Sequence, residues 1–199
     1  LATEAEGASD TLALERARGL PATLHGIIAA RLDALSPGER TLLEDLAVIG
    51  PSGDSEEVRL LVPGCDLDQD GARLADRGLI ELHDREFRFR SELIREVAYG
   101  TLTKAERARR HARLAAALPD RDGHAERVAH HLAAAAELVG EVGAVDGVPS
   151  DLAAQAIDAL FAAARIAEQS EDFVSAGTFH DRVLTLLAPT RSEEHTSEL

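Results

Sequence analysis

Asp66-Leu67-Asp68-Gln69-Asp70-Gly71 sets three carboxylates at alternate positions before a glycine, the opening of a loop in which the chain wraps a calcium ion. Position twelve of such a loop must supply a bidentate glutamate, and here it is Arg77, so the segment reads as the solvated, acidic start of a helix. His124, Glu126, His130 and His131 also carry metal-ligating atoms. The His-Glu-x-x-His spacing is missing, and adjacent side chains on a helix point about 100° apart, so no metal ligand is assigned. Lys104, Arg107, Arg109, Arg110, His111 and Arg113 form a basic run that could meet phosphate. It holds no aromatic residue for base stacking and reads as a solvated face or an interface with an acidic neighbour of the same chain. No Gly-x-x-x-x-Gly-Lys-Ser/Thr loop occurs and Lys104 is the only lysine, so the chain lacks the phosphate cradle needed to hydrolyse ATP by itself. The scattered Ser, His and Asp residues form no nucleophile elbow; no catalytic residue and no cofactor is assigned to the chain.

The most informative stretch runs from Arg85 to Tyr99. Phe87 and Phe89 alternate with Glu86, Arg88 and Arg90 at the period of a half-buried strand, and from Ser91 the spacing becomes helical through Leu93, Ile94, Val97 and Ala98. Leu79–His83 predicts a second short strand, with Asp84-Arg85 as the turn between the two. A hairpin running directly into a helix is the wing of a winged-helix domain. Upstream, apolar residues at 20, 24, 27, 28, 32 and 35 predict one helix, with Pro21 at its start. Ser36-Pro37-Gly38-Glu39 is a capping box that launches a second helix burying Leu42, Leu43, Leu46 and Ile49, and Gly50-Pro51-Ser52-Gly53 stops it. Short helices are predicted at 55–61 and 67–77, the latter ended by Gly78.

Beyond this module the chain reads as helical. Residues 103–118 and 124–139 predict helices, the glycine-rich stretch 140–150 a linker, and 151–169 with 172–187 a helical hairpin. Phe173, Ala176, Phe179, Leu184 and Pro189 have the large-small-large spacing of the second helix of a tetratricopeptide repeat. A lone repeat cannot bury its apolar face, so the helices of 103–139 are expected to stack on it. The fold class is therefore mainly α: a winged-helix domain with a small β-hairpin, followed by an α-helical, tetratricopeptide-like region. The predicted divisions are 1–19, the end of a preceding ATPase-lid segment; 20–102, the winged helix; 103–189, the repeat-like region; and 190–199, a non-native tail.

Composition limits the functional classes. The 199 residues are 45% hydrophobic with no run long enough to span a bilayer, and the single Cys65 cannot form an internal disulfide, which fits a reducing cytoplasm. A net charge of −15 repels membranes and nucleic acid. DNA binding is further disfavoured by Asp66, Asp68, Asp70 and Asp76 on the helix that would enter a groove. The chain has no methionine, which predicts a missing start. Arg191–Leu199 reads as a translated sequencing adapter and is set aside from fold and function.

Phe89-Arg90-Ser91-Glu92-Leu93-Ile94-Arg95-Glu96-Val97-Ala98-Tyr99 resembles the FRHxLIREVAY signature of STAND-type signalling ATPases, bacterial nucleotide switches associated with class III adenylate/guanylate cyclases and large LuxR-type regulators. Leu20–Leu35 is similar to the LPxTLxxxIxARLDxL helix that opens the same domain. The resemblance spans about Leu20 to Pro189. It implies a winged helix that closes on ADP or ATP held by an upstream nucleotide-binding domain of the parent chain, followed by repeats that engage protein partners. It further implies a nucleotide-sensing role for Ser91, where the family places a histidine against ADP, with Arg90 beside it. The competing expectation is a scaffold of the same architecture that binds protein partners without nucleotide.

Overall fold

The computed structural model describes residues 23–118 and 124–188. The proposed lid segment 1–19, Leu20, Pro21, Pro189 and the tail 190–199 lie outside the described residues. The described chain is mainly helical, with nine helices and one three-stranded antiparallel sheet.

Helix α1 covers residues 23–33, and Ser36 then caps α2 (Pro37–Ile49). The Ser36 hydroxyl accepts from Glu39 N while the Glu39 carboxylate accepts from Ser36 N, and Pro37 fills the first turn, where a missing N–H costs nothing. Gly50 ends α2, but the chain does not simply loop. Ser52–Asp54 forms β1, a strand whose Ser-Gly-Asp sequence carries no apolar alternation. A side chain at Gly53 would press to 2.7 Å from Ile49 and 2.9 Å from Phe87, so only glycine lets β1 approach the sheet this closely. Asp54 caps α3 (Ser55–Leu61) and Asp66 caps α4 (Leu67–Asp76).

Strands β2 (Ile80–His83) and β3 (Glu86–Phe89) form the hairpin. Asp84 and Arg85 both take positive φ, 47° and 70°, as the tight two-residue turn between right-twisted strands requires. Ile80 stands opposite Phe89 and Leu82 opposite Phe87, and β1 pairs along the other edge of β3 in the order β1-β3-β2. Phe87 and Phe89 point to one face and are buried, their rings meeting edge-on at 6.0 Å. Ser91 then caps α5 (Glu92–Thr101), and Thr103 with Glu106 forms a capping box for α6 (Lys104–Ala117).

The rest is an antiparallel succession of helices, each packed on the next: α6, α7 (Ala125–Val142), α8 (Leu152–Gln169) and α9 (Phe173–Leu187). Helix α7 runs three residues past its predicted end at Val139, through Gly140, Glu141 and Val142, and ends where Gly143 takes a positive φ of 84°. Two cores result. Leucine, isoleucine, valine and phenylalanine fill the first, from α1 through α6; alanine dominates the second, between α6, α7, α8 and α9. In α9 only Ala176 and Val183 are buried. Phe173 and Leu184 of the expected repeat pattern face outward, because no helix of the described chain lies beyond them.

Candidate functional site

Residues Arg90 and Ser91 stand where β3 becomes α5. The Ser91 backbone is extended at φ −152°, and its hydroxyl accepts from Ile94 N at 3.3 Å, which satisfies one otherwise unpaired N–H of the first turn. Arg90 N donates to Leu79 O at 3.2 Å, and its exposed guanidinium pairs with Glu81 at 3.3 Å. A third residue joins them. Arg31 comes from α1 and donates from Nη2 to Arg77 O at 2.6 Å, reaching across to the turn that ends α4. Gly78 occupies that turn at φ 66°, and the place its Cβ would take lies 3.7 Å from Arg90 Nη1 and 3.8 Å from Arg31 Nη2. Two exposed guanidinium groups from distant segments thus both lie beside Gly78, that of Arg90 shared with Glu81 and directly preceding the Ser91 cap of α5. Such an edge favours an anion, because the positive groups and the helix terminus act in the same sense.

Two of the three carboxylates of the calcium-like segment, those of Asp66 and Asp70, are engaged locally. Asp66 accepts from Asp68 N at 3.1 Å, while Asp70 accepts from Asp66 N and pairs with Arg73. Among the described residues, no three His, Cys, Asp or Glu side chains are grouped to hold a metal ion.

The histidines belong to a buried polar chain that the sequence did not reveal. Tyr99 Oη lies 2.9 Å from His111 Nε2, and His111 Nδ1 lies 2.8 Å from His131 Nδ1. His111 and His131 are 3% and 1% exposed, between α6 and α7 where the two cores meet. Either tautomeric direction closes the chain with one proton on each ring, whereas a second proton on both would set two N–H groups against each other. Burial lowers both pKa values, His111 to about 3 and His131 to about 2, reinforced by neighbouring histidine and by the arginines of α5, α6, α7 and α9. Burial also raises the Tyr99 hydroxyl, although Arg107 stacks over its ring at 4.5 Å.

The basic run of α6 is used inside the molecule. Arg110 pairs with Glu44 at 3.4 Å and Asp45 at 2.9 Å on α2, Arg113 donates to Leu61 O at 2.7 Å, and Arg107 donates to Gly100 O. Burial nevertheless pushes Asp45 up to about 6, because desolvation of the carboxylate outweighs the attraction of Arg110 and Arg113. Arg127 of α7 reaches Glu57, the buried capping residue of α3. These pairs fasten the helical stack to the first core.

An apolar cleft of about 760 Å³ opens where α7 ends and α8 begins, lined by Val139, Val145, Val148, Leu152 and Leu186 among others. Its two carboxylates are engaged, Glu137 by Arg182 and Glu141 by Lys104, so few polar groups are left to orient a ligand. No helix among the described residues is long and apolar enough to cross a membrane. In comparisons with known proteins, no family model matches the chain, and no curated protein or solved structure matches it either.

Proposed function

We propose that residues 20–102 are a winged helix that closes over a nucleotide held by an upstream nucleotide-binding domain, and that 103–189 are tetratricopeptide-like helices that sense protein partners in the cytoplasm. Together they act as the regulatory segment of a STAND-type signalling ATPase. The observation that carries this reading is the convergence of Arg31 and Arg90 at Gly78, beside the amino end of α5 capped by Ser91. The two stretches that resemble the family signatures, one around Arg31 and one around Arg90, are far apart in sequence and share this exposed edge. In the closed state Arg90 and Arg31 supply positive charge to the phosphates, and Ser91 adds a hydroxyl where a histidine would bring a longer, chargeable donor. The chain itself brings no P-loop, so the nucleotide stays with the upstream domain and its contacts here hold the resting state.

The test is the ADP release rate of a longer protein that includes the upstream domain. Arg90→Ala is expected to speed release about tenfold, corresponding to one lost charged hydrogen bond, and Ser91→His to slow it. Unchanged release in both variants would sink the nucleotide contact. The second reading, a scaffold that binds protein partners without nucleotide, is favoured by the exposed apolar residues of α9 and would then stand.

A further inference from the structure

Along α9 the residues Phe173, Gly177, His180, Leu184 and Leu187 recur at spacings of four, three, four and three, which places them on one stripe of the helix. Phe173, Leu184 and Leu187 are 69%, 66% and 60% exposed, and Val174 at the stripe's edge is 82% exposed. Phe161 of α8 is also exposed and extends the stripe sideways, its ring 6.0 Å from that of His180. Gly177 has no neighbour within 4 Å of where a Cβ would stand, so the stripe has a notch between its large residues. We infer that this face of α9 docks an amphipathic helix of a partner protein, one that carries an apolar stripe and basic flanks.

A helix is the occupant that this spacing fits, because only a second helix presents knobs at the same repeat to the holes between Phe173, Gly177 and Leu184. Continuity points the same way. Helices α6 to α9 each cover the face of the one before, and α9 is the last of that succession in the described chain. Charge decides against a second copy. Exposed Asp158, Glu168, Glu171, Asp172 and Asp181 surround the stripe, Glu168 lying 3.3 Å from His180 Nε2, whereas among the described residues of α8 and α9 the one exposed arginine or lysine is Arg165, since Arg182 is turned to Glu137. Two such rims would repel, and lysine or arginine flanks would complement them. The inference rests on reading 103–189 as partner-sensing and is independent of the nucleotide contact.

The probe is a labelled synthetic helix of about 18 residues, enough to span α9, with leucine and alanine on one stripe and lysine on the flanks. Its binding to the full chain is followed by anisotropy and by hydrogen exchange of the protein at about 150 mM salt. Saturable binding is expected, with slowed exchange across 173–187. Leu184→Glu and Val174→Glu should each weaken it about tenfold or more while leaving the melting temperature of the free protein unchanged, since both side chains are already exposed. A matched peptide with glutamate flanks should fail to bind. Absence of binding, binding indifferent to both substitutions, or equal binding of the glutamate peptide would overturn the proposal. So would a dimer in sedimentation that Leu184→Glu dissociates, which would make a second copy the occupant. ADP release in the longer protein does not depend on these substitutions, so failure here is distinguishable from failure of the nucleotide reading.

Discussion

The two cores solve the same problem with different side chains. Around the sheet, Leu43, Leu46, Leu74, Leu79, Ile80 and Phe87 are almost wholly buried, each bringing a large apolar area out of water. Between α6, α7, α8 and α9 the buried residues are mostly alanine, which removes little area but lets helix backbones come close. Leu152, Leu160 and Val183 are buried there as well, but several large apolar residues of the second region sit on its outer surface, at Phe161, Phe173, Leu184 and Leu187. A core of large side chains is damaged by deletion. A core of alanines is damaged by addition, and it leans on its polar fastenings to the first core: Arg110 to Glu44 and Asp45, Arg127 to Glu57, and the Tyr99–His111–His131 chain.

Phe87→Ala carries the largest expected effect. The ring is 1% exposed and packs against Phe89 and the closely approaching Gly53, so its loss should cost about 3–5 kcal/mol. Urea denaturation followed by circular dichroism measures it. If the cores are separable, the loss appears in one of two transitions while α7 to α9 persist; a single shifted transition would mean that they unfold together and that the contrast is one of composition only.

Acid attacks the seam between the cores. In the folded protein His111 and His131 are held near 3 and 2, well below an unfolded imidazole at about 6.5, so the unfolded chain binds more protons between those values. Stability is therefore full above about pH 6.5 and falls as the pH is lowered, by about 2 kcal/mol per imidazole between pH 7 and 5. Asp45 works in the opposite sense. Its raised value near 6 means that the folded state takes up a proton there, so that protonation offsets part of the loss below pH 6. Hydrogen exchange of α6 and α7 as a function of pH reads the balance; exchange unchanged down to pH 5 would show that the imidazoles are not held neutral by burial.

Ala163→Leu should cost about 1–3 kcal/mol by overpacking, because Ala163 has no exposed surface in the alanine core. The same enlargement at the exposed Ala154 of α8 should change the melting temperature little. Equal effects at both positions would show that the second core has room to spare and that close helix approach is not what stabilises it.

The legibility of the molecule follows the same division. Strong local patterns were readable: the period-two run at Phe87 and Phe89 with its turn, the Ser36 capping box, and the helices predicted from 103 and 172, where Thr103 and Asp172 stand as the N-caps. Strand β1 was not, because Ser52-Gly53-Asp54 joins the sheet through backbone pairing and glycine's lack of a side chain, and neither leaves a hydrophobic period. The apolar stripe of α1 was readable, yet Leu24 and Ile27 are exposed and only its later residues enter the core. Arg90 and Ser91 stood out through the resemblance to the family signature, and Ser91 also as the cap of a strand-to-helix junction. Arg31 did not, since only the folded turn at Gly78 brings it to the same edge. Pairing of His111 with His131 depends likewise on how α6 and α7 are docked, which no local spacing encodes.

Ser91→Ala is the smallest and sharpest change, because it separates the two roles that one hydroxyl can play. As the N-cap of α5 the hydroxyl satisfies Ile94 N, and its removal should cost about 1 kcal/mol, a loss belonging to the first core. Asp at the same position caps equally well, so Ser91→Asp should restore the stability while placing a negative charge beside Arg90 and the proposed phosphate edge. Thermal melts of both variants read the cap, and ADP release from the longer protein reads the edge. If Ser91→Asp melts like the unaltered protein yet releases ADP faster, residue 91 both caps α5 and meets the nucleotide. If both variants release ADP at the unaltered rate, the residue is a cap alone, and the Arg31–Arg90 edge must be judged on its arginines.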